Sequence, residues 1–307
     1  MRRPLLLLAC CSLPVFAAAQ ERAPLFPRLH ARLHPRPCPC PCVSICPPVA
    51  VTAPESVTPP KNVEVPKTFD SVTLRGRVQW PDGKPLPNRV PIPIPLGADR
   101  DFFGPAVLPM NLLVDPNSRG IRNVLVWLRP DSDDRTKTFP LNKIVPGVLK
   151  PAPKTHSIGV KDGHFEPRVL AAHSGDRLHF SNNTPIAMNF NFNSDIESAN
   201  VLVKPTAGFS PTKPLEAQRI PISFVCNIHP WMQGRIRVFD HPYFATTDKD
   251  GKFEIKNAPV GKWRIVYWHE DGFHKGRDGI LGFPIEIKGD RKTLELEPIK
   301  LELPALK

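Results

Sequence analysis

Alternation of apolar and polar positions, rather than any helical period, organises this chain. Val72, Leu74, Gly76 and Val78 recur at every second position ahead of a turn at Pro81-Asp82-Gly83, the pattern of a half-buried strand. Residues 121–128 (IRNVLVWL) predict another strand, and residues 164–170, 177–181, 187–192, 220–225 and 234–239 carry similar signals. Two more, 252–255 and 263–268, are joined by Asn257-Ala258-Pro259-Val260-Gly261. No window sustains a helical period. The 40 prolines among 307 residues, against an ordinary usage of about 5%, remove backbone donors throughout and favour short strands joined by fixed turns. The expectation is an all-β protein.

The two ends change this picture. Residues 1–19 bring Arg2 and Arg3, an apolar stretch and the small-residue run Ala17-Ala18-Ala19, the layout of an export leader. Leu7-Leu8-Ala9-Cys10 also has the form of a lipoprotein cleavage box, but the apolar stretch before Cys10 is shorter than the roughly 7 residues a leader needs. Soluble export, to a periplasm or the cell exterior, is therefore preferred to a lipid anchor. No later segment approaches the roughly 18 apolar residues of a membrane span.

The formal charge of +12 does not point to nucleic acid in an exported chain. It points to an acidic protein partner or an anionic surface, or simply to a basic solvated face. Residues 20–70 are Pro-rich and aperiodic, and read as a disordered linker. Cys38, Cys40, Cys42 and Cys46 lie within it, open to disulfides or a thiolate cluster in an oxidising compartment. Prolines between the first three, and no histidine among them, favour plain low complexity.

The segments SVTLRGRVQWPDGKPLP and TTDKDGKFEIKNAPVGKWRIVYW resemble the first strand and last hairpin of the carboxypeptidase regulatory-like (transthyretin-like) β-sandwich, of immunoglobulin-like architecture. They lie more than a hundred positions apart. Residues 71–149 and 241–307 are therefore expected to form one sandwich and residues 150–240 a second domain inserted into it, as loops tolerate.

Chemistry concentrates in that insert. In FVCNIHPWMQG a thiol, an imidazole and a thioether recur at every third residue: Cys226, His229 and Met232. With the following strand, CNIHPWMQGRIRVF resembles the ligand loop of the cupredoxins, the small blue-copper proteins of amicyanin and plastocyanin type. AAHSGDRLHFSNNTPIAMNFNF resembles an earlier strand of that family. The resemblance covers roughly residues 156–240 and implies a Greek-key sandwich holding one type-1-like copper ion. In such a site a thiolate and two imidazoles lie in one plane with a long axial thioether. It would make Cys226 the equatorial thiolate, His229 the equatorial imidazole whose exposed edge is the docking point, and Met232 the axial ligand. The fourth ligand should be a histidine just before the N-F-N-F run, and Met188 stands there. A second thioether in place of an imidazole makes the set softer and favours Cu(I). Cys226 and the methionines are equally at home as apolar core.

No other histidine is expected to complete the set. Alternation turns His179 outward between Leu178 and Phe180, and His164 and His173, nearer turns, are expected at the surface. Other constellations are set aside. His269-Glu270 with His274 is one residue too long for a helical zinc signature and reads as a polar loop. Asp248-Lys249-Asp250-Gly251 has Pro259 where a calcium loop needs a carboxylate and reads as a hairpin turn. Trp231 reads as core or as a shield over the ligands. With no catalytic constellation in view, the expectation is a non-enzymatic copper protein passing single electrons to a redox partner protein. The alternatives are a Cu(I) carrier, or a structural or carbohydrate-binding module with a degenerate site.

Overall fold

The computed structural model describes residues 70–146, 148 and 151–304. The expected leader and the set Cys38, Cys40, Cys42 and Cys46 lie outside the described residues. The fold is all-β.

Four larger sheets carry it, grouped by the segments that build them. In the first, Ser71–Gln79 lies between Lys252–Pro259 and the parallel Thr293–Glu295, with Ile299–Lys300 also pairing on it. The second runs Phe244–Thr246, Leu125–Pro130, Gly261–His269, Gly272–Phe273, with Phe283–Ile287 also on Gly261–His269. The third runs Ser198–Val203, Met188–Asn193, Ile222–Val225, Gln233–Phe239, Val169–His173. The fourth runs Gly208–Phe209, Arg177–Ser181, Thr155–Lys161, His164–Glu166. Every strand pairing of residues 155–239 is with another strand of that segment.

Period-2 alternation assigns each side chain to a layer. Val72, Leu74 and Val78 meet Val126, Leu128, Ile265 and Tyr267 in one core, between the first and second sheets. Ile158, Phe165 and Phe180 meet Phe190, Phe224 and Ile236 in another, between the third and fourth. The intervening residues of the second sheet, Leu125, Trp127, Val266 and Trp268, pack on Val169 and Phe239 of the third. Leu125–Pro130 is consequently buried along its whole length, which is why residues 124–128 (VLVWL) read as a continuous apolar run.

Several local expectations need correction. Residues 252–255 and 263–268 lie in strands of different sheets, one pairing with Ser71–Gln79 and the other with Leu125–Pro130. The Asp248 turn likewise passes from the second sheet to the first, so neither connection is a hairpin. The expected strand at 164–170 is two, because Pro167 has no N–H for the ladder.

His269, Glu270 and His274 do not form a solvated loop; all three side chains are buried. The Arg168 guanidinium donates from Nε and Nη2 to the two Glu270 carboxylate oxygens at 2.6 and 2.7 Å, and from Nη1 to the Gln233 carbonyl. Both side chains of this pair are about 95% buried, with 4% and 5% exposed.

A buried charge left without its partner is expensive. Glu270→Leu is expected to lower stability by about 3–5 kcal/mol in urea unfolding, and a double Arg168→Met, Glu270→Leu variant to recover most of that. Arg264→Leu, whose partners Asp131 and Asp133 stand in solvent, should cost less than about 1 kcal/mol.

A second test concerns pH. His241 is buried among Phe139, Phe239 and Tyr243, and its Nδ1 accepts the Tyr243 N–H. Burial first, and then Arg237 and His173, push its pKa down to about 3. The unfolded chain takes the proton near pH 6.5 and the folded chain does not. Stability is therefore expected to fall as pH drops from about 6.5 towards 3, by up to about 1.4 kcal/mol per unit. His241→Asn keeps an acceptor for Tyr243 and should flatten that part of the profile.

Candidate metal centre

Cys226 directly follows Ile222–Val225, and Met232 directly precedes Gln233–Phe239, its antiparallel neighbour. The loop between them is closed by its own backbone. Cys226 N–H donates to the Met232 carbonyl at 2.9 Å, and Met232 N–H donates to the His229 carbonyl at 2.8 Å. Gly234 is required at the exit, since a Cβ there would run into the Phe224 ring and the Arg168 carbonyl.

This closure turns the three predicted side chains of the loop inward. Cys226, His229 and Met232 are buried, and Cys226 Sγ lies 3.3 Å from His229 Nδ1. The His229 backbone N–H also points at the sulfur, at 3.4 Å. Met188, the first residue of Met188–Asn193, is fully buried in the same apolar cluster as Cys226 and Met232. Among the described residues no other histidine is recorded in contact with the set. His179 faces outward as expected and bonds Ser210 Oγ through Nδ1. His173, half-buried, places Nδ1 2.9 Å from the Ser174 carbonyl. His164 corrects the expectation of a surface residue: it is buried, and burial and Arg168 lower its pKa to about 4.

Burial alone would raise the Cys226 pKa and lower that of His229. The His229 ring and the N–H groups of Asn189, His229 and Ile228 outweigh it at the thiol, which is lowered overall. Cys226 and Asp99 outweigh it at the imidazole, which is raised. Each shift is in the direction that favours the charged form of its group.

The edge of His229 is not exposed, contrary to the docking role expected of it. Its ring is 0% exposed. The short helix Ala98–Phe103 lies over it, with Asp99 Oδ2 3.2 Å from Nε2 and the Phe103 ring edge-on at 5.4 Å. Trp231 closes another side at 5.3 Å and donates from Nε1 to the Gly163 carbonyl. It also lines a groove of about 880 Å3 with Ile94, Leu96, Asp99 and Ile228.

Sequence reasoning missed Asp99, Phe103 and a set of asparagines that anchors the loop. Asn189 Oδ1 accepts the Asn227 N–H at 3.0 Å while its Nδ2 donates to Asn200 Oδ1 at 2.7 Å. Asn191 Nδ2 donates to Asn227 Oδ1 at 3.2 Å. The run Met188-Asn189-Phe190-Asn191-Phe192 held a usable signal, since its alternation sends the rings into the core and the amides towards the loop. Among the described residues no group of three or more His, Cys, Asp and Glu side chains could hold a metal ion. The candidate set therefore depends on its two thioethers. A thiolate, an imidazole and two thioethers sharing one water-poor region match the donors that copper, and Cu(I) above all, prefers.

No family model matches the sequence, and no curated protein matches it. Solved structures that align with part of the chain include a Cu(I) form of an amicyanin mutant, at 17% identity over 37% of this chain and 97% of that one, TM-score 0.24. A purple cupredoxin from Nitrosopumilus maritimus aligns at 17% identity over 27% of this chain and 97% of its own, TM-score 0.23. The copper-containing nitrite reductase (NirK) from Thermus scotoductus SA-01 aligns at 21% identity over 33% and 26%, TM-score 0.25. Such scores leave the fold to be read from the strand order itself. No helix among the described residues is long and apolar enough to cross a membrane.

Asn189→Ala removes both an acceptor and a donor from a buried site. It is expected to cost about 1–3 kcal/mol in urea unfolding, whereas Asn193→Ala, at the exposed end of the same strand, should change stability by less than about 0.5 kcal/mol.

Proposed function

We propose that this protein holds one copper ion through Cys226, His229 and Met232, with Met188 in the position of a second imidazole, and exchanges single electrons with a partner protein outside the cytoplasm. The observation that carries the reading is the buried juxtaposition of Cys226 Sγ and His229 Nδ1 at 3.3 Å, in the region where Met188 and Met232 are also fully buried. In this reading residues 150–240 hold the metal and residues 71–149 and 241–307 form the unit that supports them.

A bound copper ion would supply one-electron redox chemistry. The chain's own residues supply the rest. Cys226 offers the sulfur, and the His229 ring and surrounding N–H groups favour its thiolate form. The asparagines fix the loop, so that the ligand side chains need little rearrangement when the charge at the site changes. Phe103 and Trp231 keep water from the imidazole. A second reading, a Cu(I) carrier, is favoured by one specific observation. The imidazole edge is covered and both thioethers are buried, which suits retention of a soft ion more than rapid exchange of electrons across an exposed edge.

Addition of Cu(II), and separately of Cu(I) without oxygen, to the reduced protein tests both. The electron-transfer reading expects an intense visible thiolate-to-copper band that is absent in Cys226→Ala. Tight Cu(I) binding with no band after oxidation assigns the carrier. Binding of neither ion overturns the copper reading and leaves a structural module. Met188→His should raise Cu(II) affinity relative to wild type by at least about tenfold, because imidazole suits Cu(II) better than thioether.

A further inference from the structure

We infer that Asp99 is a positioning residue for His229, and that the excursion carrying it, residues 92–107, is a fixed cap over the ligand loop. The inference rests on the copper reading for its consequences and on geometry for its premise.

The excursion is closed at its base by pairing of Ile92–Pro93 with Ala106–Val107, and the Ile94 N–H donates to the Pro105 carbonyl at 2.9 Å. Its tip is the helix Ala98–Phe103, ended by the Gly104 N–H donating to the Arg100 carbonyl. Two side chains of that tip reach His229 from outside the loop, Asp99 at Nε2 and Phe103 at the ring edge.

The cap is seated on the ligand loop through Gly163. This residue has φ +75°, and a Cβ there would stand 3.1 Å from Val107 and 3.3 Å from the Phe103 ring, while its carbonyl accepts the Trp231 Nε1–H at 3.0 Å. Cap, turn and loop therefore meet at one residue whose positive φ favours glycine and where a Cβ would press on both Val107 and Phe103.

The two nitrogens of His229 are thereby given separate tasks. Nδ1 faces Cys226 Sγ at 3.3 Å and Nε2 faces Asp99 Oδ2 at 3.2 Å. Nε2 has no hydrogen-bond partner of good alignment, and the Asp99 carboxylate at 3.2 Å is the ionic contact recorded at that nitrogen. A carboxylate behind a metal-binding imidazole fixes its tautomer and raises its basicity. At the copper site it adds a negative charge that favours the more highly charged ion. Removing that charge weakens Cu(II) more than Cu(I) and moves the midpoint potential upward.

The test has a metal-free arm and a copper arm. In metal-free protein, modification by diethyl pyrocarbonate is followed at His229 by peptide mapping, with half-exposed His179 as internal reference. His229 is expected to react at least tenfold more slowly than His179 in wild type. That protection should fall at least tenfold in Phe103→Ala and Asp99→Ala, with His179 unchanged. In the copper arm Asp99→Asn is expected to lower Cu(II) affinity about 10–100-fold and raise the midpoint potential, while Asp99→Glu restores both towards wild type. The inference is overturned if wild-type His229 reacts as fast as His179, or if Asp99→Asn keeps the affinity and potential of wild type. Failure of wild type to bind copper overturns the copper reading, and protection of His229 in the same metal-free preparation still supports the cap.

Discussion

The buried ion pair between Arg168 and Glu270 is the constraint on which the rest of the structure depends. Arg168 sits at the head of Val169–His173, and Glu270 at the end of Gly261–His269. The third contact of the guanidinium is the carbonyl of Gln233, the residue after Met232. An ion pair out of water holds only if its geometry is good and its remaining donors are occupied. The outer face of one sheet pair is thus placed on the strand that leaves the ligand loop of the other. The apolar contact of Trp127, Val266 and Trp268 with Val169 and Phe239 joins the same two segments, and both side chains of the pair are almost wholly out of water. That dryness raises both the strength of the pair and the penalty for breaking it.

From the junction the constraint passes into the loop by short steps. The Arg168 carbonyl accepts the Arg235 N–H and lies where a side chain on Gly234 would stand. Gln233 and Val225 are a register pair, so the exit strand fixes where Cys226 begins. On the opposite side Asn189, Asn191 and Asn200 hold Asn227. A seven-residue loop held at both ends, with two internal backbone bonds, has little freedom left to lose on taking a ligand.

Much of this was legible along the chain, and what was not has a common cause. Residues 71–79 and 177–181 show period-2 patterns because one face of each meets a core and the other does not; 233–239 keeps the pattern because Gln233, Arg235 and Arg237 precede Phe239 on its second face. The spacing of Cys226, His229 and Met232 is likewise local, and so is the alternation of Asn and Phe after Met188. Burial of His164, His269 and His274 depends on neighbours from distant segments, so polar residues beside turns read as surface. The partnership of Asp99 with His229 spans some 130 positions. It leaves no mark in either segment, since an aspartate near a short Pro-rich stretch looks like an ordinary solvated turn. The strands Thr155–Lys161 and Ser198–Val203 escaped notice because polar His156 shares the inward face of the first and apolar Leu202 stands on the exposed face of the second.

In the copper reading, the cap and the donor set act on the same balance from opposite sides. A thioether at Met188 is a softer and weaker donor than an imidazole, and exclusion of water by Phe103 and Trp231 removes solvent dipoles that would stabilise the divalent state. Both favour Cu(I). Asp99 is the only carboxylate recorded in contact with His229 among the described residues, and its charge favours Cu(II). An outward-facing imidazole would have its charge moderated by water, whereas a covered one must be moderated by the protein. Covering His229 and supplying Asp99 are therefore a single structural solution: the segment that takes the solvent away from the imidazole also brings the charge that stands in for it.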